Sequence, residues 1–273
     1  KNWALDLLRR DSSLELKVAE LEHSLTQSSP VAGPNDGEMD DQLALILMCS
    51  HPALPIECRV ALTLRLACGF STAEIARAFL TPETTIAQRL VRAKRQIRDQ
   101  GIVIDPSNTN LIPERLDSVL RVIYLLFNEG YGATGGNELV RADLCGEAIR
   151  LCTLLMSHGN RSPAIHALLA LMLLQAARLP ARTQEDGTLA ILAEQNRSLW
   201  DQRLIAGGLR HLAQSAAGDN LTAYHLQAEI AAIHATAKSE EDTNWPEIAA
   251  LYEQLYLLEP TPIVALNRAI ARS

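Results

Sequence analysis

Apolar residues recur along most of the chain at intervals of three and four positions, which is the period of an amphipathic helix. From residue 41 onward the pattern predicts a succession of helices over residues 41–50, 55–68, 72–80, 83–100, 114–129, 140–157, 163–178, 188–194, 199–216, 221–236, 245–258 and 262–272. No segment alternates between apolar and polar residues over a length that demands a sheet. The sequence therefore predicts an all-α fold.

Two polar stretches divide this succession of helices. Residues 24–40 are rich in Ser, Pro, Gly and acidic residues, and residues 102–112 contain Asp-Pro-Ser-Asn. Such compositions do not build a core and indicate linkers. We therefore expect a helical tail at residues 1–23, a small domain at 41–101 and a larger extension at 113–273. Since the chain opens on Lys and not Met, we also expect that an N-terminal part is missing.

Residues 71–98 have the order of a helix-turn-helix. Ser71 followed by Glu74 is a capping-box signature for a first short helix. Thr81 and Pro82 then predict a stop and a new start, with Thr81 as N-cap and Pro82 as the first helical residue. Gly69 stands where the preceding helix is expected to end. In a helix-turn-helix the second helix enters the major groove.

The second helix of this motif has two different sides. Ile86, Leu90, Ala93 and Ile97 recur at helical spacing and are expected to face the core. The opposite side carries Thr84, Thr85, Gln88, Arg89, Arg92 and Arg95. Hydroxyl and amide groups near the start of a helix can reach base edges, and arginines further along can neutralise phosphates. The pattern predicts DNA binding.

Composition and charge narrow the class of protein. Aromatic residues make up only 4% of the chain, which favours helices over strands. The net charge is -7, but residues 53–111 hold eight Lys and Arg against five Asp and Glu, while acidic residues exceed basic ones on both sides. One basic island between acidic flanks is typical of a segment that meets phosphate.

Five cysteines, no signal peptide and no uninterrupted apolar run of about 18 residues indicate a reduced, cytoplasmic protein without a membrane span. Cys49, His51 and Cys58 match no standard zinc spacing, so we expect buried thiols and no metal or other cofactor.

The residues also resemble a known family. The stretch VALTLRLACGFSTAEIARAFLTPETTIAQRLVRAKRQI (60–97) looks like region 4 of extracytoplasmic-function sigma factors, which belong to group 4 of the sigma-70 family. KNWALDLLRRDSS (1–13) is similar to the end of their region 2. DDQLALILMCSHPALPIE (40–57) resembles the subgroup with a large C-terminal helical extension, and YLLFNEGYGA (124–133) and QNRSLWD (195–201) match that extension.

This resemblance implies particular roles. Thr85, Ala87, Gln88 and Val91 would face bases of the promoter −35 element, although many relatives carry a basic or polar residue where Ala87 stands. Arg89, Arg92 and Arg95 would lie beside the DNA backbone. Core RNA polymerase would be the protein partner. Because most of region 2 is absent, the chain alone is not expected to initiate transcription.

The extension, residues 113–273, invites several interpretations. Its last two predicted helices resemble a tetratricopeptide (TPR) hairpin, which suggests a partner-binding solenoid. It could dock on the sigma domain or on polymerase and so regulate the factor. Alternatively, it could bind a small ligand, making the chain a one-component regulator, or serve as a scaffold.

Polar clusters in the extension raise, but do not favour, an enzymatic function. A first polar group consists of Asn128, Glu129 and Tyr131 and is followed along the chain by Arg141, Asp143 and Glu147. A second group, in a later turn, consists of Gln195, Asn196, Arg197 and Trp200. Such residues more often cap helices and tie loops together than act as acids and bases. Four histidines of the extension, 166, 211, 225 and 234, are expected to stand alone. We predict an interdomain or structural cluster and no enzyme.

Overall fold

The computed structural model describes residues 45–47, 49–79, 81–101, 112–132, 140–157, 162–184, 188–217 and 220–273. The predicted end of region 2 at residues 1–23, the predicted linker at 24–40 and residues 102–111 of the predicted linker at 102–112 lie outside these residues. Ile112, the last residue of that linker, is the first residue of a helix. The chain divides into two compact units, with the boundary between Asn160 and Arg161.

The described part of unit 1 contains five helices, preceded by helical residues at 45–47 and 49. They are α1 (Ile56–Leu66), α2 (Thr72–Ala78), α3 (Glu83–Asp99), α4 (Ile112–Tyr131) and α5 (Ala142–Ser157). The second unit contains α6 (Pro163–Ala176), α7 (Gln202–Ser215), α8 (Ala223–Thr236), α9 (Trp245–Leu258) and α10 (Pro262–Ala271), with three single 3₁₀ turns between α6 and α7. The described residues form no strand beyond one isolated bridge between Thr183 and Leu189, so the all-α prediction is confirmed.

Local sequence signals explain how the first three helices begin and end. Gly69 adopts a φ of 71° and turns the chain after α1, a conformation that glycine adopts without steric cost. Ser71 and Glu74 form the predicted capping box at the start of α2. The Thr81 cap was wrong, because Pro82 is the N-cap residue of α3 and no side chain caps that helix.

Helix α4 packs against α1 inside unit 1. Arg115 is buried and its Nη1 donates to the backbone oxygen of Leu47 at 2.6 Å. Arg59 Nη1 donates to Ser118 Oγ at 3.1 Å. Helix α5 packs in turn on α4. The first two helices after residue 112 therefore share a compact unit with α1–α3.

Gly130 lets α4 and the start of α5 approach closely. A Cβ at this position would lie 2.8 Å from the backbone oxygen of Arg141 and 2.9 Å from Cys145 Sγ. The close approach also brings Arg141 N to 2.7 Å from the backbone oxygen of Gly130, to which it donates. Only glycine fits here without moving the backbone.

Unit 2 is built around α6, of which ten of fourteen residues are buried. Helices α7 and α8 pack on α6, and α9 packs on both α8 and α10. Leu226, Ile230, Ile248, Leu251 and Leu255 form the centre of a second cluster at the α8–α10 end. The helices of unit 2 therefore pack mainly on helices one or two positions away along the chain.

One segment of the described chain, Pro163–Ala181, is long and apolar enough to cross a membrane by length and composition. Since 67% of its apolar window is buried inside the protein, it is accounted for as the core helix of unit 2.

Segment 188–194 was wrongly predicted as an α-helix. Its described structure is the bridge at Leu189, followed by one 3₁₀ turn at Leu192–Glu194. The remaining predicted helices of the described regions are present, with bounds that differ by a few residues.

Substitution by alanine is expected to have opposite effects on stability at two neighbouring glycines of α7. A Cβ at Gly208 would lie 2.6 Å from Leu174 Cγ and 3.3 Å from the backbone oxygen of Ala170, whereas at Gly207 its nearest neighbour is Leu173 Cδ1 at 3.6 Å. We expect Gly208→Ala to destabilise the protein by about 1–3 kcal/mol through overpacking. Gly207→Ala should stabilise it by about 0.5–1 kcal/mol through the better helix propensity of alanine.

Denaturant unfolding of the two variants, followed by circular dichroism, measures this difference. Equal changes in the free energy of unfolding for both variants would show that α7 does not approach α6 as closely as described.

Candidate DNA-binding site

Helix α3 is fixed from one side by apolar side chains. Ile86, Leu90 and Ala93 are buried as predicted, and Ile97 is half-buried. They pack α3 against α1 and α2. Near its other end, Gln96 Nε2 donates to the backbone oxygen of Ala53 at 2.7 Å. Both halves of the helix are therefore held by the rest of unit 1.

The opposite side of α3 is open. Exposed residues follow one another at intervals of three and four and form a stripe that runs the length of the helix, the α3 stripe: Thr84, Ala87, Gln88, Val91, Arg92 and Arg95. Val91 is 67% exposed, an unusual position for a valine in a packed domain. Hydroxyl, amide, methyl and guanidinium groups on one helical stripe are the groups that read base edges and phosphates in the major groove.

Two predicted DNA contacts lie beside the stripe. Thr85 is half-buried. Arg89 is also half-buried, and its guanidinium lies 5.4 Å from the centroid of the Phe79 ring, just after α2. A cation placed over an aromatic face is attracted by the ring quadrupole. Arg89 is therefore oriented by the turn between the two helices.

Fewer cations of the basic island, residues 53–111, are available to DNA than its count of eight Lys and Arg suggests. Arg59 donates to the backbone oxygens of Leu54 and Pro52, and Arg65 donates to that of Phe70. These two cations hold loops in place. Most of the remaining positive charge belongs to α3, where Arg95 forms an exposed pair with Asp99 at 3.3 Å. Exposed pairs of this kind are weak, so a phosphate can compete for Arg95.

Comparison with known proteins decides what this helix-turn-helix is. Residues 44–97 match the model of sigma-70 region 4. The chain carries a sigma-70 region 4. Residues 115–216 match a second model, a family of unknown function named DUF6596. Region 4 is a transcription-initiation domain, so this match points to a non-enzymatic transcription factor.

A curated protein is similar to the chain over its whole length. It is uncharacterized protein R00370 of Rhizobium meliloti (strain 1021), 42% identical over 277 residues. The alignment covers 100% of this chain and 66% of the relative, so the chain spans somewhat less than two thirds of the relative's length. No solved structure matches the chain.

Outside region 4, the first predicted polar group lies at the end of α4. Asn128 is exposed, Glu129 is buried, and the Tyr131 ring stacks on Phe127 with centroids 5.9 Å apart. Of the carboxylates once considered for catalysis, Glu147 forms a two-pronged pair with Arg150 at 2.7 and 2.8 Å. These contacts support a structural role.

The second predicted polar group belongs to unit 2 and ties its loops together. Gln195 is buried, accepts from Arg178 Nε at 3.1 Å and donates to the backbone oxygen of Ala190. Asn196 caps the 3₁₀ turn Arg197–Leu199 by accepting from Ser198 N. These bonds fix the segment that enters α7.

Arg197 and Trp200 form the inner part of the same group. Arg197 Nη1 donates to the backbone oxygens of His234 and Ala237, at 2.7 and 2.8 Å, at the end of α8. Its guanidinium lies 4.7 Å from the centroid of the Trp200 ring, which is 3% exposed. A cation donating to the last carbonyls of a helix is a favourable C-terminal contact.

The expectation that the histidines stand alone was wrong for two of them. His166 on α6 and His211 on α7 have their Nδ1 atoms 3.0 Å apart. The ring centroids are 5.3 Å apart and the ring planes differ by 24°, so the two rings are stacked with their Nδ1 atoms at hydrogen-bond distance. Sequence offered no signal for this pair, which is separated by 45 residues.

All five cysteines are buried and none forms a disulfide, as expected. Burial raises the pKa of the Cys49 and Cys68 thiols to about 12. Burial also raises the pKa of Cys58, partly offset by Arg92 and Arg89. Within the described parts of the chain, no group of three or more His, Cys, Asp or Glu could hold a metal ion.

Unit 2 also contains a cavity of about 500 Å³ between the end of α7 and the start of α8. Its walls include Leu209, Leu212 and Leu221, with His225 and Glu229 as polar members. The volume lies in the range of small-molecule sites.

The α3 stripe predicts a division of labour between two neighbouring exposed residues. Arg92→Ala should weaken binding to all DNA sequences and reduce the slope of log K against log salt by about 1. Gln88→Ala should change base preference, by about 1–3 kcal/mol at one position. Quantitative binding to a randomised duplex library at several salt concentrations measures both effects.

Arg121→Ala is the matched control for charge, since it removes an exposed arginine from α4. If Arg121→Ala weakens binding as much as Arg92→Ala, net charge and not the α3 stripe governs affinity.

Two histidines of unit 2 predict a pH-dependent stability. Burial lowers the pKa of His211 and His234 to about 4, with added repulsion from His166 and Arg210 in the first case and from Arg178 and Arg197 in the second. In the unfolded chain these groups titrate near 6.5. The unfolded chain therefore binds more protons between these values, and stability should fall as pH decreases from about 6.5 to 4.

Thermal unfolding between pH 4 and 8 measures this dependence. His211→Gln and His234→Gln should each flatten the curve below pH 6.5, while leaving it level above pH 7. An unchanged slope in both variants would assign the pH dependence to other groups.

Proposed function

We propose that the chain is part of an alternative sigma factor of the extracytoplasmic-function group. In this proposal α3 reads the promoter −35 element while region 4 binds core RNA polymerase, and the extension modulates activity through protein contacts in the cytoplasm. The observation that carries it is the α3 stripe, an exposed row of base-reading and phosphate-binding side chains on a helix that is anchored along its other side.

The individual DNA contacts follow from the stripe. Gln88 and Val91 are exposed near the middle of α3, where an amide can bond a base edge and methyl groups can contact the methyl of thymine. Arg92 and Arg95 lie one turn further on and are assigned to phosphates. Thr84, Thr85 and Ala87 complete the base-facing part, and Arg89 is assigned to a phosphate near the turn.

The packing of α4 on α1 supports an intramolecular role for the start of the extension. Arg115 and Ser118 of α4 bond to Leu47 and Arg59, on the side of unit 1 that carries α1. The exposed residues of α3 stay open in this arrangement. We infer that α4 and α5 stabilise region 4 without covering its DNA-binding stripe, and that regulation comes from the later, TPR-like helices.

The one-component regulator is kept as a second candidate because of one observation. The cavity beside His225 in unit 2 has the size of a ligand site and mainly apolar walls. In this case a small molecule in unit 2 would control binding of α3 to an operator, without RNA polymerase.

Co-purification with core RNA polymerase separates the two candidates. We expect the complete sigma factor, of which this chain is proposed to be a part, to bind core and to direct transcription from its promoter. Truncation after residue 157 should preserve a folded region 4. Truncation after residue 112 should destabilise it, because the bonds from Arg115 and Ser118 are lost.

A protein that never binds core but retards specific DNA would overturn the sigma-factor proposal and support the one-component regulator. If truncation after residue 112 leaves the melting temperature of region 4 unchanged, the role assigned to α4 is wrong.

A further inference from the structure

Two arginines contact the ring of Trp200 in unit 2. The guanidinium carbons of Arg178 and Arg197 are 5.6 and 4.7 Å from the centroid of its ring. The Trp200 ring is 3% exposed, whereas both arginines and His234 are half-buried. We call Arg178, Arg197, Trp200 and His234 the Trp200 cluster. The Trp200 cluster lies far beyond the end of region 4 in the sequence, and the proposed DNA contacts do not involve it.

Three polar atoms of this cluster are buried without a hydrogen-bond partner. They are Arg197 Nη2, Trp200 Nε1 and His234 Nδ1. Their residues are in direct contact, since Arg197 lies over the Trp200 ring and also donates to the backbone oxygen of His234. A buried donor without an acceptor is costly, and such atoms normally bond to an ion or water when no protein group is available.

The charge of the cluster selects the kind of group that would satisfy these atoms. Burial, together with the positive charges of Arg178 and Arg197, lowers the pKa of His234 to about 4. The neighbouring carboxylate, Asp201, is engaged elsewhere because its Oδ1 accepts from Arg203 N and Leu204 N at the start of α7. A water molecule would accept hydrogen bonds from the donors but would not neutralise the positive charge of the arginines. An anion would accept the hydrogen bonds and also neutralise the charge.

We propose that the Trp200 cluster binds a small oxyanion, with Arg197 Nη2 and Trp200 Nε1 as donors to its oxygens. His234 takes part through Nδ1 as a third donor, in the tautomer or protonation state that carries a proton there. Charge-assisted hydrogen bonds from arginine are well suited to oxyanions. The site would join the loop before α7 to the end of α8, so that occupancy would stabilise unit 2.

Inorganic phosphate is the probe that tests this site in the intact chain. We expect phosphate to raise the melting temperature relative to chloride at equal ionic strength, since a ligand that binds only the native state stabilises it. In the same samples, NMR titration should show a higher pKa for His234 when phosphate is present, because a bound anion favours the charged imidazole.

Trp200→Phe is the sharpest variant because it keeps the aromatic ring and removes the N–H donor. We expect phosphate to bind it about tenfold more weakly, as fits the loss of one hydrogen bond to a charged group. Trp245→Phe is the matched control. Trp245 meets the His234 ring edge-on at 5.4 Å, and none of its atoms is among the buried unpartnered ones, so phosphate binding should be unchanged.

Three results would overturn the proposal. Phosphate without effect on the wild-type melting temperature and on His234 would mean that the three atoms bond to water only. Equal phosphate binding by Trp200→Phe and wild type would place the anion elsewhere, as would equal weakening by Trp245→Phe. The His234 titration of the wild type decides the matter even if Trp200→Phe does not fold.

Discussion

The burial of one side of α3 is the constraint on which the candidate site depends. Ile86, Leu90 and Ala93 leave water together, and a helix with 3.6 residues per turn then has only one orientation in which they are all covered. That orientation directs Gln88 and Arg92 outward. The capping box at the start of α2 and the hydrogen bond from Gln96 to Ala53 support the same orientation of α3, because each fixes a segment that contacts this helix.

Sequence periodicity predicted the helices and the sides of α3 well, because both depend on contacts between residues three and four apart. It was less successful at the turn between α2 and α3. Thr81 is a good N-cap by residue type, yet proline restricts the residue that precedes it, and the helix begins one position later with Pro82 as N-cap. The choice between these starts depends on the surrounding packing.

Features that depend on distant residues could not be predicted in this way. The charge count of residues 53–111 included Arg59 and Arg65 in the segment expected to meet phosphate. Long cationic side chains can equally donate to nearby carbonyls, and these two do so. The His166–His211 contact joins two helices that lie 45 residues apart in sequence, so no local pattern indicates it. Segment 188–194 has helical spacing but is too short to nucleate a helix without supporting contacts.

The bonds that Arg115 and Ser118 make to α1 also bear on how such a chain can be inherited. The match to the region 4 family ends at residue 97. However, α4, which lies beyond that point, packs on α1 and donates a hydrogen bond to the backbone oxygen of Leu47. A gene rearrangement that joined this region 4 to a different extension would leave Arg59 and Leu47 without their partners. Exchange of C-terminal extensions among relatives is therefore easier beyond α5, where the first compact unit closes, than at the point where the match to region 4 stops.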